Sequence, residues 1–161
     1  MAAAIRFPMT QASELRTPTI GLSPAQLEDA QDLAALRVEA MRESLERVGR
    51  FDPTRAAQRF LASFSPAHTR HIVVDDHRVG FVVVKSTTTF ILLDHLYIRP
   101  ADQGKKIGST VLSLVFAEAR AQGLPVRLGA LRDSPSNRFY IRHGFKLSEQ
   151  SEFDNYYTRE L

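Results

Sequence analysis

Apolar residues recur along this chain with two periods, and the change from one to the other divides it. Thr19-Ile20-Gly21-Leu22 reads as a short first strand. Ser23 before Pro24 reads as an N-cap followed by proline at the first helical position. From there Leu27, Ala30, Leu33, Ala34, Val38 and Met41 recur at helical spacing, Arg37, Glu39, Arg42, Glu43, Glu46 and Arg47 supply the polar face, and Gly49 marks the end. Asp52-Pro53 repeats the cap-then-proline signal for a second helix that turns Ala56, Ala57, Phe60, Leu61 and Phe64 inward and closes at Ser65-Pro66.

At Arg70 the period shortens. His71 to Asp75 reads as a strand, Asp76-His77 as a turn and Val79 to Val84 as the next strand; Thr87-Thr88-Thr89 opens a third that runs through Phe90 to Ile98. Such continuous apolar runs suit strands covered on both faces. A helix from about Ile107 to Gln122 follows, with Val111, Leu114, Val115 and Ala119 as its buried stripe and Gly123 as its C-cap. Val126 to Leu131 is a strand, Ser134-Pro135 caps a short helix through His143 that ends at Gly144, and Phe145 to Leu161 reads as one or two further strands. The expected architecture is α/β (α+β): a mixed, mostly antiparallel sheet flanked by helices on both faces.

Composition narrows the class without naming it. The 161 residues fit one domain, expected over 17–161 behind a loose polar leader at 1–16, and 43% hydrophobic with 24% charged residues is ordinary for a globular chain. The absence of cysteine excludes disulfides and thiolate metal ligands. Net charge is +3 with pI ≈ 9.5, but the basic residues are scattered, which disfavours nucleic acid as a partner. The N-terminus lacks the apolar core of a signal peptide and no segment reaches the ~20 apolar residues of a membrane span, so a cytoplasmic protein without a membrane partner is expected. His68, His71, His77, His95 and His143 show no metal-ligand spacing, and no metal is expected.

The run from Leu96 to Ser109 carries the most chemistry. A strand end, Leu96-Tyr97-Ile98, leads through a basic turn bearing Gln103, Gly104, Lys105 and Lys106 into a helix start at Ile107, Gly108 and Ser109. That order aims several backbone N–H groups at one point, where the positive end of the helix favours an anion.

Two motifs give this order a family likeness. Gln103-Gly104-Lys105-Lys106-Ile107-Gly108 after a strand approaches the turn Gln/Arg-x-x-Gly-x-Gly/Ala, and Phe139-Tyr140-Ile141-Arg142-His143-Gly144-Phe145 is similar to a Phe-Tyr-x-x-x-Gly-Phe ending. With the order of elements, these make the chain resemble the GNAT superfamily of acyl-CoA-dependent N-acetyltransferases. The resemblance implies a sheet of six to seven strands with about four helices and one splayed strand pair. It also implies acetyl-CoA as co-substrate and a primary amine as acceptor, with direct transfer in a ternary complex.

By the same resemblance, the backbone edge of Leu96, Tyr97 and Ile98 takes the pantetheine arm, with the Leu96 amide polarising the thioester carbonyl. Gln103, Gly104, Lys105, Lys106, Ile107, Gly108 and Ser109 form the pyrophosphate cradle. Lys106 departs from the family pattern, which has glycine there; a negative φ at Lys106 is expected, and Gly104 and Gly108 are expected to clear room for the ligand. Tyr140 matches the tyrosine near the CoA sulfur. A phenol, neutral at pH 7, can protonate the leaving thiolate; a buried aromatic held by one hydrogen bond is the competing role. Asn137 either takes over a CoA contact that relatives place further upstream or simply opens its helix.

The base is less direct. The family's glutamate position corresponds to Leu92, which cannot take a proton. Asp94 shares a face with Leu92 and Leu96 by strand alternation, and three roles stay open for it: base, anchor for a cationic amine, or structural group. His95, on the opposite face, reads as a hydrogen-bonded structural histidine. The acceptor pocket is expected from the first two helices, the loop Val48 to Asp52, and the acid- and aromatic-rich tail Glu152 to Tyr157. That tail equally suits core packing or a homodimer contact. The competing function is a GNAT-like module that binds acyl-CoA with little or no catalysis, motivated by Lys106 and Leu92.

Overall fold

Asp75 and Asp76 both adopt left-handed backbone, with φ of 46° and 66°, and this tight turn folds the first hairpin of the sheet. The computed structural model describes residues 16–161; apart from Arg16, the leader expected over 1–16 lies outside the described residues. The strands are β1 (Ile20–Pro24), β2 (Thr69–Val74), β3 (His77–Ser86), β4 (Ile91–Ile98), β5 (Val126–Leu131), β6 (Lys146–Gln150) and β7 (Asp154–Arg159). The helices are α1 (Ala30–Arg47), α2 (Pro53–Ser63), α3 (Ile107–Gln122) and α4 (Ser136–Arg142). One sheet has the order β1-β2-β3-β4-β5-β7-β6, antiparallel throughout except for the parallel β4–β5 pair. The expected architecture is the one found.

The sheet separates two cores. On one face α3 and α4 bury Val111, Leu112, Val115, Phe116 and Tyr140 against Ile72, Val82, Leu93 and Leu128. On the other, α1 and α2 bury Leu33, Leu36 and Phe60 against Phe81 and Val83. That second cover stops at β4. Beyond it, Arg127, Gly129 and Tyr156 of β5 and β7 are exposed on the α1/α2 side of the sheet.

Several local expectations shift. β1 runs through Ser23 to Pro24, because their backbones pair with His71 and Arg70. The helix therefore starts later, after a single 3-10 turn at Leu27–Asp29, and Leu27 is 72% exposed rather than inward. Asp29 instead anchors that turn: its carboxylate accepts from the Gln26 amide at 2.7 Å and pairs with the buried His71 ring at 2.9 Å. Asp52 does cap α2, accepting from the Arg55 amide at 3.0 Å. Thr87–Thr89 forms a turn, not a strand, because the Thr87 hydroxyl takes the Thr89 and Phe90 amides and donates to the Phe90 carbonyl. On α3, Leu114 is 38% exposed, and Leu112 and Phe116 fill the core in its place.

Candidate active site

β4 and β5 pair only at Ile91↔Val126 and Leu92↔Arg127. Past Leu92 the strands diverge, and β5 takes its remaining partners from β7 on its far side. Among the described residues, the β5-facing edge of β4 is therefore unpaired from Leu93 to Ile98, leaving main-chain donors and acceptors for an extended ligand. Leu96, Tyr97 and Ile98 stand on this edge. Inside the opening, β4 carries a bulge: Val83 pairs with His95 and Val84 with Leu93, leaving Asp94 as the extra residue. A bulge re-aims the side chains that follow it. Asp94 therefore does not share a face with both Leu92 and Leu96, as strict alternation would require.

The turn between β4 and α3 is held from within. The Gln103 side-chain Nε2 donates to the Ile98 carbonyl at 2.9 Å, and Lys105 pairs with Asp102 at 3.4 Å. Gly104 has φ 78° and Lys106 has φ 61°, so the expected negative φ at Lys106 is overturned. Lysine sits in a left-handed position where glycine would be free of strain, at a cost of roughly 1–2 kcal/mol. With this turn set, α3 opens on the N–H groups of Ile107, Gly108 and Ser109, which lie ahead of the first intrahelical acceptors. Gly108 has a reason other than the one expected: a Cβ there would meet Phe139 Cζ at 3.0 Å, so its bareness lets α4 close against α3. His143 ties the same two helices, its ring nitrogens contacting the Phe139 carbonyl at 2.6 Å and the Ser109 hydroxyl at 2.9 Å.

Tyr140 is part of the core under α3 and α4, with its ring edge-on to Phe139 and Phe145 at centroid distances of 5.3 and 5.6 Å. It is only 8% exposed, and burial pushes its phenol well above the ordinary range, so it stays protonated at neutral pH. Asn137 is fully committed inside the protein. Its amide donates to the Leu131 and Ser134 carbonyls at 2.9 Å, and its carbonyl accepts from Asn155 and the Tyr157 hydroxyl at 2.9 and 2.8 Å. This fixes the start of α4 to β5 and β7, and a coenzyme contact from Asn137 requires breaking one of these bonds.

On the face that α1 and α2 leave uncovered, a cavity of about 560 Å³ opens beside the gap, lined among others by Leu92, Asp94, Gly129, Glu149, Asp154 and Tyr156. The expected tail residues do reach it. Of the other walls expected, no residue of α1, α2 or the loop Val48 to Asp52 lines it among the described residues; Arg50 of that loop stacks on Phe153 of the tail, 3.7 Å from the ring centroid. Asp94 presents an asymmetric carboxylate. Lys85 Nζ sits 3.0 Å and His95 Nε2 3.9 Å from Oδ2, while Oδ1 has no partner among the described residues.

His95 is not the hydrogen-bonded histidine expected. Its Nδ1 is buried without a partner among the described residues, and its ring packs with Phe60, Phe81 and Tyr97 at centroid distances of 5.6, 6.3 and 5.6 Å. Burial pulls its pKa down to about 4, with Asp94 opposing and Arg37 and Lys85 reinforcing. Lys85 was not a sequence candidate. The available signal was its place as the first charge after the apolar run Val79 to Val84.

The comparisons agree with this fold. Residues 67–147 match the model of the acetyltransferase (GNAT) domain. No curated protein matches the chain in sequence. Among solved structures, the PaiA N-acetyltransferase of Thermoplasma acidophilum, determined in complex with coenzyme A, superposes with a TM-score of 0.74 at 19% identity, covering 89% of this chain and 99% of that one. An acetyltransferase from Thermus thermophilus gives 0.70 at 18% identity, covering 89% and 97%. YjaB from Escherichia coli in its apo form gives 0.71 at 17% identity, covering 87% and 97%. At these identities the superpositions speak for the fold alone. The family match spans just over half the chain and includes the unpaired edge, the glycine-bearing turn and the Phe-Tyr helix, and on it the chain belongs to the GNAT acetyltransferase family.

Proposed function

We propose that this protein transfers the acetyl group of acetyl-CoA to a primary amine by direct attack within a ternary complex. The observation that carries this reading is the divergence of β4 from β5 past Leu92, which leaves a bare strand edge running from the cavity to the start of α3. An extended pantetheine arm matches that edge as an added strand would, through Leu96, Tyr97 and Ile98. Its pyrophosphate meets the amides from Gly104 to Ser109, with Lys105 and Lys106 adding positive field.

The thioester carbonyl then lies at the bulge, where the Leu96 amide supports the developing oxyanion. The acceptor approaches from the cavity, where the free Oδ1 of Asp94 receives its ammonium and takes its proton. As the amine nitrogen bonds the carbonyl carbon, the C–S bond breaks, the sulfur gains a proton from Tyr140, and the second proton shed by the nitrogen as it becomes an amide returns to the Tyr140 phenolate, directly or through water. The raised pKa of that phenol keeps the donor protonated, and the same apolar surroundings raise the basicity of the leaving thiolate. No cysteine is available to carry an acetyl intermediate, which favours the ternary complex.

The test is thiol release from acetyl-CoA across a panel of amines, alongside thermal stabilisation by acetyl-CoA. Stabilisation with amine-dependent release is the expected result. Stabilisation without release from any amine supports a binding module instead, and absence of both overturns the donor assignment.

A further inference from the structure

The cavity differs between its two ends. The end at the strand opening holds Asp94. The other end is built by β5, β7 and β6, where Tyr156 rests its ring against Gly129: a Cβ on Gly129 would meet Tyr156 Cε1 at 3.2 Å and Cδ1 at 3.3 Å. The ring is 39% exposed. Four other rings are already capped by guanidinium groups: Phe51 by Arg42 at 4.9 Å, Phe153 by Arg50 at 3.7 Å, Phe90 by Arg127 at 4.6 Å and Phe116 by Arg159 at 3.8 Å. Tyr156 carries none among the described residues.

Two carboxylates flank that ring. Glu149 is its register partner on β6, and Asp154 precedes it by two residues on β7, so it shares its face of the sheet. Neither carboxylate enters an ion pair among the described residues. The cation lining the cavity, Arg127, is stacked on Phe90. An open aromatic face between two unneutralised carboxylates attracts a cation through the ring quadrupole and through charge.

Resting on the acetyl-transfer reading above, we infer that the acceptor is a small diamine. One amine meets Asp94 at the strand opening, and the second, as an ammonium, rests on Tyr156 between Glu149 and Asp154. The cavity is large enough to admit such a ligand. An acceptor carrying a carboxylate at that end is repelled, and a monoamine leaves the far end unused.

The experiment compares α,ω-diamines, n-alkylamines and ω-amino acids of matched chain length in the thiol-release assay. The best diamine is expected to exceed its matched monoamine by about tenfold in kcat/KM, an energy in the range of one cation–π contact reinforced by charge. The ω-amino acid is expected below the monoamine. The Tyr156→Leu variant, which keeps apolar cover on Gly129, and the double variant Glu149→Gln with Asp154→Asn are each expected to shrink the diamine-to-monoamine ratio. A purely structural role for these residues would lower both rates and leave the ratio intact. Equal rates for diamine and monoamine, or release with peptide amines alone, overturn the diamine inference and leave acetyl transfer standing. Retained acetyl-CoA binding with no release from any amine overturns both.

Discussion

Leu92 and Leu96, four residues apart on β4, face opposite sides of the sheet: Leu92 lines the open cavity, and Leu96 packs with the core beneath α3. Regular alternation would put both on one side. The extra residue at Asp94 reverses the order, and in doing so places a carboxylate beside the divergence of β4 and β5. The family's glutamate position, Leu92, and the expected substitute, Asp94, thus open on the same cavity although a bulge separates Asp94 from ordinary pairing.

Asp94→Asn keeps the bulge and its size while removing the proton acceptor. If Asp94 takes the amine proton, kcat falls by about two orders of magnitude, the lower range for a lost general base. The acid limb of the pH–rate profile is lost as well. A raised KM for the amine with kcat unchanged would instead assign Asp94 to anchoring alone. The pH–rate profile of the variant makes the distinction.

Tyr140→Phe preserves the edge-on packing with Phe139 and Phe145 and deletes only the hydroxyl. The expected outcome is a fall in kcat of at least about tenfold, with KM for acetyl-CoA changed by less than about threefold. Steady-state kinetics with acetyl-CoA varied at saturating amine reads both. An unchanged kcat removes Tyr140 from the mechanism.

Lys106 couples stability to ligand binding with opposite signs. Glycine at φ 61° removes the left-handed strain, so Lys106→Gly is expected to stabilise the apo protein by about 1 kcal/mol. It also removes a cation from the proposed phosphate cradle, so acetyl-CoA affinity is expected to fall a few-fold at low ionic strength and to converge on wild type at high salt. Denaturant titration and calorimetry at two salt concentrations check each half. A variant no more stable than wild type would mean that the lysine side chain contributes contacts that offset its backbone strain.

What the sequence made legible were features with local causes. The helix at Pro53 begins where its aspartate cap and proline say it should, and the hairpins and the turn before Ile107 follow from short-range chemistry. Several of the misreadings have another cause: a neighbour far along the chain decides the outcome. Ser23 and Pro24 carry a helix-start signal, but β2 recruits them as an edge strand. Gly108 looks like ligand clearance until Phe139, from α4, is seen to occupy the space. For Asn137, left between a coenzyme contact and a helix-opening role, the distant Tyr157 and Asn155 take its carbonyl. The bulge at Asp94 leaves no residue signature, because the insertion exists only relative to β3. Lys85 became a site residue through that same bulge.

His95 supplies a pH dependence whose sign is fixed by its surroundings. Its ring lies among Phe60, Phe81 and Tyr97; Lys85 and Arg37 disfavour its protonation and Asp94 favours it, and the result is a pKa near 4 against an ordinary 6.5. The folded state therefore holds His95 neutral, while the unfolded chain binds a proton as soon as the pH drops below 6.5. Its contribution to stability is whole above that value and is lost as the pH falls toward 4. At pH 5 the loss is about 2 kcal/mol. His95→Phe removes the titration and also the buried, unpartnered Nδ1, a change worth about 1 kcal/mol at pH 7. The variant is thus expected to be more stable than wild type at neutral pH, and its advantage is expected to widen as the pH is lowered. Taking the difference between the two proteins cancels the acid sensitivity they share, including that of Asp29, whose carboxylate the Gln26 amide and His71 hold below the ordinary range. Denaturant unfolding of both proteins from pH 7 down to pH 5 gives the comparison. Parallel stability curves would mean that His95 takes up its proton in the folded state, and that the aromatic cluster opens to admit water.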